Sequence, residues 1–244
     1  MRYLMTFSYD GTNYNGYQKQ PNLITIQSVI EQALTKINSN NNVIIHASGR
    51  TDSGVHAMNQ KAHFDLDSSI DSNKIKHALN SLLPKDIYVK EICQMDNDFH
   101  ARFDVVRKEY IYKINIGEYN PIEANHIYQY NNNLDTDKIG QALKLLEGEH
   151  DFSSFTKMVD EKETYVRTIY ETNITIDKNI ITIKFVGNGF LRYMVRNMVG
   201  LLIEIGSNKK DANEILRLFE VKDRREAGIT APPNGLYLNN VYYE

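Results

Sequence analysis

The sequence predicts an α+β fold of two halves, each of order β-α-β-β-α-β, the ferredoxin-like pattern, with mostly antiparallel sheets meeting at a central cleft. Three observations predict it. Short runs rich in β-branched and aromatic residues have strand length, segments between them repeat apolar residues at helical spacing, and the same order of elements recurs after residue 98. Residues 1–98 form the expected N-terminal half and residues 99–244 the C-terminal half. No linker-like stretch lies between them, so a cleft where they abut is the natural ligand site.

Residues 2–9 read as a strand closed by the turn pair Asp10-Gly11. Ile26, Val29, Ile30, Ala33, Leu34 and Ile37 recur at three- and four-residue steps and predict an amphipathic helix, which the asparagine-rich tract Asn38 to Asn42 ends. Val43 to Ile45 and Ala62 to Leu66 are strand-like and flank a loop. A helix over Asn73 to Leu83 stops at Pro84, and a strand follows at Ile87 to Ile92. Phe103 to Ile116 reads as a long strand, and Asp135 to Glu147 as a helix with Ile139, Ala142, Leu143 and Leu146 on one face. Strands at Val166 to Ile176 and Ile180 to Val186 share the turn Asp177 to Asn179. Helices over Leu191 to Ile205 and Ala212 to Phe219 precede a closing strand, Leu236 to Tyr243.

Of the 244 residues, 24% are charged and 41% hydrophobic, which is ordinary globular usage and argues against disorder. A net charge of −3 gives no compositional sign of a nucleic-acid partner, but the field over a cleft matters more than the total. The single cysteine, Cys93, has no disulfide partner in the chain, which fits a reducing cytoplasm; it lies in an apolar segment and reads as a small core residue. Thr6, Ser8 and Asp10 interrupt any hydrophobic leader, and no apolar run approaches membrane-spanning length. A soluble, cytoplasmic protein is expected.

The loop Gly49-Arg50-Thr51-Asp52-Ser53-Gly54-Val55-His56-Ala57 is the strongest chemical signal. It places a carboxylate, a guanidinium and two glycines in a tight connection, the kind of scaffold-held loop where catalytic groups concentrate. Gly49 and Gly54 have phosphate-loop spacing, yet Val55-His56 stands where Lys-Ser/Thr is required. Gly187-Asn188-Gly189 begins a dinucleotide-like pattern, but Arg192 occupies the third glycine position. The seven histidines lie far apart with no cysteine cluster, so no metal site is expected, and no GxSxG elbow is present. Carboxylate chemistry without a cofactor remains.

Three further segments carry more polar or aromatic content than a core needs. Phe99 to Phe103, running into Arg107-Lys108-Glu109-Tyr110, interleaves cations with aromatics. That pattern suits RNA, because guanidiniums pair with phosphates and rings stack on unpaired bases; the competing reading is a solvated strand face. In Phe185 to Gly200, Arg192 and Arg196 are four apart, hence on one side of a helix, with no acidic residue from Ile183 to Leu202. In Ala231 to Leu238 a double proline and Gly235 shape a turn before Leu236, either a core residue or a pocket wall.

Taken together, Tyr9 to Gln18, the Gly49 to Ala57 loop, Phe99 to Tyr110, Gly148 to Phe152, the Asn188 to Gly200 segment and the Pro232 to Leu238 turn resemble the ordered motifs of the TruA family of tRNA pseudouridine synthases. The match covers nearly the full chain. Tyr17 departs from the pattern, standing where the family usually carries tryptophan.

The resemblance implies isomerisation of uridine to pseudouridine in the anticodon stem-loop, at positions 38, 39 and 40 of tRNA, with no cofactor. It implies Asp52 as the essential carboxylate, acting as nucleophile or base. Arg196 matches the guanidinium that keeps this carboxylate ionised, Tyr110 the ring that stacks on the uracil, and Leu236 an apolar wall on the base. Arg50 is placed to fill the space of a flipped-out uridine or to hold phosphate, while Arg102 and Arg192 are expected to contact RNA. Thr51 reads as structural, and His56 either as scaffold or as an RNA contact. A homodimer is implied by the family alone. The competing functional classes are a catalytically silent RNA-binding scaffold and a pseudouridine synthase acting on another RNA.

Overall fold

The computed structural model describes residues 1–157 and 164–243. They group into two units, Met1–Val106 with Tyr237–Glu244, and Arg107–Leu236. Both mix helices with largely antiparallel strands, as the α+β prediction requires.

The first unit is built on β1 (Arg2–Tyr9), α1 (Ile26–Ile37), β2 (His46–Ala47), β3 (His56–Asp65), α2 (Ser72–Leu82) and β4 (Ile87–Met95). β1 lies between β4 and β3, antiparallel to both, with Arg2 opposite Asp65 and Met95. α1 starts at a reciprocal cap, the Thr25 hydroxyl accepting from the Ser28 amide and the Ser28 hydroxyl from the Thr25 amide. Ser39 and Asn40 leave it with positive φ, as the asparagine-rich tract predicts. α2 ends at Leu83 in extended backbone, the conformation that the following Pro84 imposes. Tyr3, Met5, Phe7 and Phe64 pack with Ile26, Ile30, Leu34, Ile75 and Leu79 into a core closed to solvent.

Three local expectations are corrected in this unit. Val43 to Ile45 is not a strand: the Val43 amide donates to Thr35 Oγ1 and the Ile45 amide to Glu31 Oε1, so side chains of α1 take the donors a ladder would use. Cys93 is exposed rather than core, because the β1–β4 register shifts between Thr6 and Phe7 and turns Ile92 inward and Cys93 outward. Phe99 to Asp104 is a turn, not the start of a strand. The Phe103 and Asp104 amides both donate to the His100 carbonyl, and the Ala101 amide donates to His63 Nδ1. That turn is tied into the first unit, although the sequence places the change of halves near residue 98.

The last strand, β10 (Leu236–Tyr242), runs parallel to β3, Tyr237 opposite His56 and Leu238 opposite Ala57. It is followed by Tyr243, whose hydroxyl donates to the Ala101 carbonyl.

In the second unit β5 (Arg107–Asn115), β9 (Ile180–Gly187), β8 (Val166–Asp177) and β7 (Gly148–Asp151) lie side by side, each antiparallel to the next. A two-residue strand, β6 (Tyr128–Gln129), pairs in parallel with β5. α3 (Thr136–Leu145), α4 (Met194–Gly206) and α5 (Glu214–Val221) complete it. Tyr112, Ile114, Ile181, Ile183 and Phe185 are buried with Ile139, Leu143, Met198 and Leu202. β6 and β7 are too short to leave a periodic signal, and the sequence does not predict them as strands. α4 begins three residues later than expected because Tyr193 has left-handed backbone (φ 63°), so Arg192 precedes the helix and does not share a helical face with Arg196. The order of elements in this unit does not establish two ferredoxin-like halves.

Candidate active site

The Asp52 loop joins β2 to β3, and its backbone is fixed by the segment that follows β1. The Tyr17 amide donates to the Thr51 carbonyl at 3.0 Å, and Ser53 Oγ donates to the Tyr14 carbonyl at 3.1 Å. Gly16, at φ 83°, lies so close that a Cβ there would sit 3.0 Å from the Thr51 oxygen and 3.3 Å from the Asp52 carbonyl carbon. Gly11 is tighter still, its notional Cβ only 2.1 Å from the Val55 carbonyl oxygen. Both glycines of the Tyr9 to Gln18 motif are therefore spacers that admit the loop. Gly11→Ala is expected to cost roughly 1–3 kcal/mol of stability by overpacking, read as a lower melting temperature.

Beneath the loop lies a buried polar layer. Thr51 Oγ1 and the Tyr9 hydroxyl are 2.8 Å apart; Gln60 accepts from Ser48 Oγ at 2.7 Å and donates to the Gly49 carbonyl at 3.0 Å. Burial pushes the Tyr9 phenol up to about 12, so it stays neutral and serves as a hydrogen-bonding strut. His56 is buried, with Nδ1 3.1 Å from both the Gly11 amide and Asp10 Oδ1 and its ring stacked on Tyr237 at 4.8 Å. Asp52 itself is half-buried, on a loop whose neighbours Thr51 and Val55 are closed to solvent. Arg50 is exposed, and its Nη1 donates to Gln18 Oε1 at 2.6 Å. Arg102 is also exposed, with its guanidinium 5.8 Å from the Phe103 ring centre. Tyr17 is buried, and its hydroxyl has no hydrogen-bond partner among the described residues, the local consequence of a phenol at this position.

The second unit holds Tyr110, Arg192, Arg196 and Leu236. Tyr110 lies on β5 opposite Phe185, is buried, and meets Phe190 edge to face with centroids 5.1 Å apart. Arg196 Nε donates to the Ala231 carbonyl at 2.7 Å, and the Ala231 amide returns a bond to the Arg196 carbonyl at 3.0 Å. The next carbonyl, Pro232, accepts from the Tyr112 hydroxyl at 2.7 Å. One short segment thus links α4 to the strand that carries Tyr110, and buried Leu236 ends the turn that follows. α4 approaches this segment backbone to backbone: a Cβ on Gly200 would lie 2.0 Å from the Ile229 oxygen.

The sequence reading missed the residues that hold these groups in place. Asn197 is fully buried, donating to the Phe155 carbonyl at 2.6 Å and accepting from Arg224 Nη2 and Thr230 Oγ1 at 3.0 and 2.7 Å. A polar residue between Val195 and Met198 was the available signal for Asn197, whereas Gln60 stands between Asn59 and Lys61 and carries no such signal. Among the described residues, no group of three His, Cys, Asp or Glu side chains is placed to hold a metal ion, and no helix is long and apolar enough to cross a membrane.

Comparison with known proteins shows the family. A family model described as tRNA pseudouridine synthase matches residues 5–104 and 142–244. The chain is 44% identical to tRNA pseudouridine synthase A of Latilactobacillus sakei subsp. sakei (strain 23K), over 100% of this chain and 99% of that protein. It is 45% identical to the protein of the same name from Lacticaseibacillus casei (strain BL23), over 99% of each. With that of Geobacillus sp. (strain WCH70) it shares 43% identity over 98% of this chain and 97% of that protein. The chain therefore belongs to the tRNA pseudouridine synthase family, enzymes that isomerise uridine to pseudouridine.

Proposed function

We propose that this enzyme converts uridine to pseudouridine in the anticodon stem-loop of tRNA, at positions 38, 39 and 40, with Asp52 as its essential carboxylate and no cofactor. The observation that carries the proposal is the Asp52 loop. Its backbone is locked by Gly11, Gly16, Tyr17 and a buried layer of Tyr9, Thr51, Ser48 and Gln60, while the one carboxylate it bears stays half-exposed. Rigid support of a solvent-reachable acid is what a catalytic group requires and a purely structural aspartate does not.

The reaction breaks the C1′–N1 bond of uridine, turns the uracil and joins C1′ to C5, releasing the C5 proton. Reactant and product are isomers, so no reductant, oxidant or group donor enters. Ionised Asp52 serves as nucleophile or as the base that starts an elimination. Arg196 is read as the cation that favours the ionised form, Tyr110 as the stacking ring, and Leu236 as the apolar wall. Arg50 is read as occupying the space the flipped uridine leaves, and Arg102 and Arg192 as contacts to the RNA backbone. Related α+β halves, a homodimer and a cytoplasmic setting belong to the same reading.

Tyr110→Phe keeps the ring and so its stacking, worth roughly 1–3 kcal/mol per base. tRNA affinity is expected to hold while release of the C5 proton slows; unchanged affinity and chemistry together would remove Tyr110 from the site. The proposal as a whole is tested by incubating purified enzyme with an unmodified tRNA transcript in the presence of a chelator, then mapping pseudouridine by mass spectrometry. Product at positions 38 to 40 is expected. Product elsewhere only would reassign the RNA target, and no product on any tRNA would favour a silent scaffold.

A further inference from the structure

We propose that Tyr193 is a positioning residue that sets the direction of the Arg196 guanidinium, an inference that rests on reading Arg196 as part of the turnover machinery. Tyr193 directly precedes α4, with φ 63° and ψ −2°. Left-handed backbone is disfavoured for an L-residue with a large side chain; glycine, and less often asparagine or aspartate, adopts it readily. An aromatic residue held there stores strain, and such strain clusters where a fixed side-chain direction matters to function.

What the strained residue holds is visible. The Tyr193 ring centre lies 5.4 Å from the guanidinium carbon of Arg196 and 5.0 Å from that of Arg192. Both distances are within the range in which a ring face attracts a cation. Arg192 Nη2 also donates to the Tyr193 hydroxyl at 3.3 Å. The Tyr193 carbonyl accepts from the amide of buried Asn197, and the Arg192 carbonyl from Thr156 Oγ1, so the backbone that aims the ring is itself anchored. Arg196 is therefore held by the Ala231 carbonyl on Nε and by the ring near its guanidinium carbon. The shared ring also offsets part of the repulsion between two neighbouring guanidiniums, since its quadrupole attracts each of them.

Backbone and ring can be separated by experiment. Tyr193→Asn and Tyr193→Gly suit the left-handed conformation but remove the ring; Tyr193→Phe keeps the ring. With saturating enzyme and a tRNA transcript, single-turnover rates of both ring-less variants are expected to fall about 10- to 100-fold, the scale of a misplaced catalytic group. Melting temperature should hold or rise, and tRNA affinity should change little. Tyr193→Phe should restore the rate to within a few-fold of wild type, and adding Tyr193→Asn to Arg196→Met should slow that variant no further. Wild-type rates in the ring-less variants beside a crippled Arg196→Met would overturn this inference alone, as would additive losses in the double variant or failure of both ring-less variants to fold. Arg196→Met turning over at the wild-type rate would instead overturn the reading beneath it.

Discussion

Asp52→Ala is expected to lower turnover roughly ten-thousand-fold or more, the scale on which loss of an essential acid, base or nucleophile is felt. The same variant should fold and bind tRNA much as the wild type does. The reason is local. Asp52 is half-buried on a loop whose backbone is held by the Thr51 carbonyl and hydroxyl, Ser53 Oγ, and the close approach of Gly11 and Gly16. The Asp52 carbonyl still accepts from the Val55 amide whatever side chain it carries. Single-turnover assays with a melting curve and a binding isotherm on the same preparations check all three parts. Asp52→Asn is the stricter variant, since it keeps shape while removing charge, and it should be nearly as inactive.

Arg196→Met carries the second large effect, a loss of about 100- to 1,000-fold in turnover, comparable to removing one preorganised electrostatic donor. Methionine retains most of the stem's bulk on α4 and loses the Nε bond to Ala231 along with the charge. The Ala231 amide still reaches the Arg196 backbone carbonyl, so the 229–231 segment should stay against the helix at Gly200. tRNA affinity should fall far less than the rate, because a single phosphate contact would be only one of several. Arg196→Lys should rescue poorly, since an ammonium does not reproduce the planar guanidinium whose Nε reaches the Ala231 carbonyl and whose carbon lies near the Tyr193 ring. A drop in affinity as large as the drop in rate would reassign Arg196 to RNA binding.

The sequence shows these groups more clearly than it shows what holds them. α1 follows from its apolar spacing, its asparagine-rich stop is a real left-handed exit, and Pro84 ends α2 as expected. Asp52 stands out because a carboxylate between two glycines has few structural uses. Missed features share a physical cause: they depend on partners in other elements. Cys93 faces outward because a bulge against β1 shifts the register. Val43 to Ile45 has strand composition, but its amides are claimed by Glu31 and Thr35 of α1. β10 pairs with β3 across some 180 residues, a contact no local pattern announces. Tyr193 shows the opposite failure, where smooth helical periodicity from Leu191 hides a single left-handed residue that moves the helix start and separates Arg192 from Arg196. Asparagine at 197 was visible as a polar residue beside Met198 and Val199, whereas glutamine at 60 is hidden between Asn59 and Lys61; each is a buried tie beneath a candidate site residue.

The central claim, cofactor-free isomerisation by Asp52, is tested most directly by release of tritium from tRNA labelled at C5 of uridine, with a chelator present. Forming the C1′–C5 bond must expel that proton, whichever route the carboxylate takes. Stoichiometric release is expected from the wild type, and none above background from Asp52→Ala folded to the same melting temperature. Equal release from both proteins, or none from the wild type on any tRNA, would contradict it.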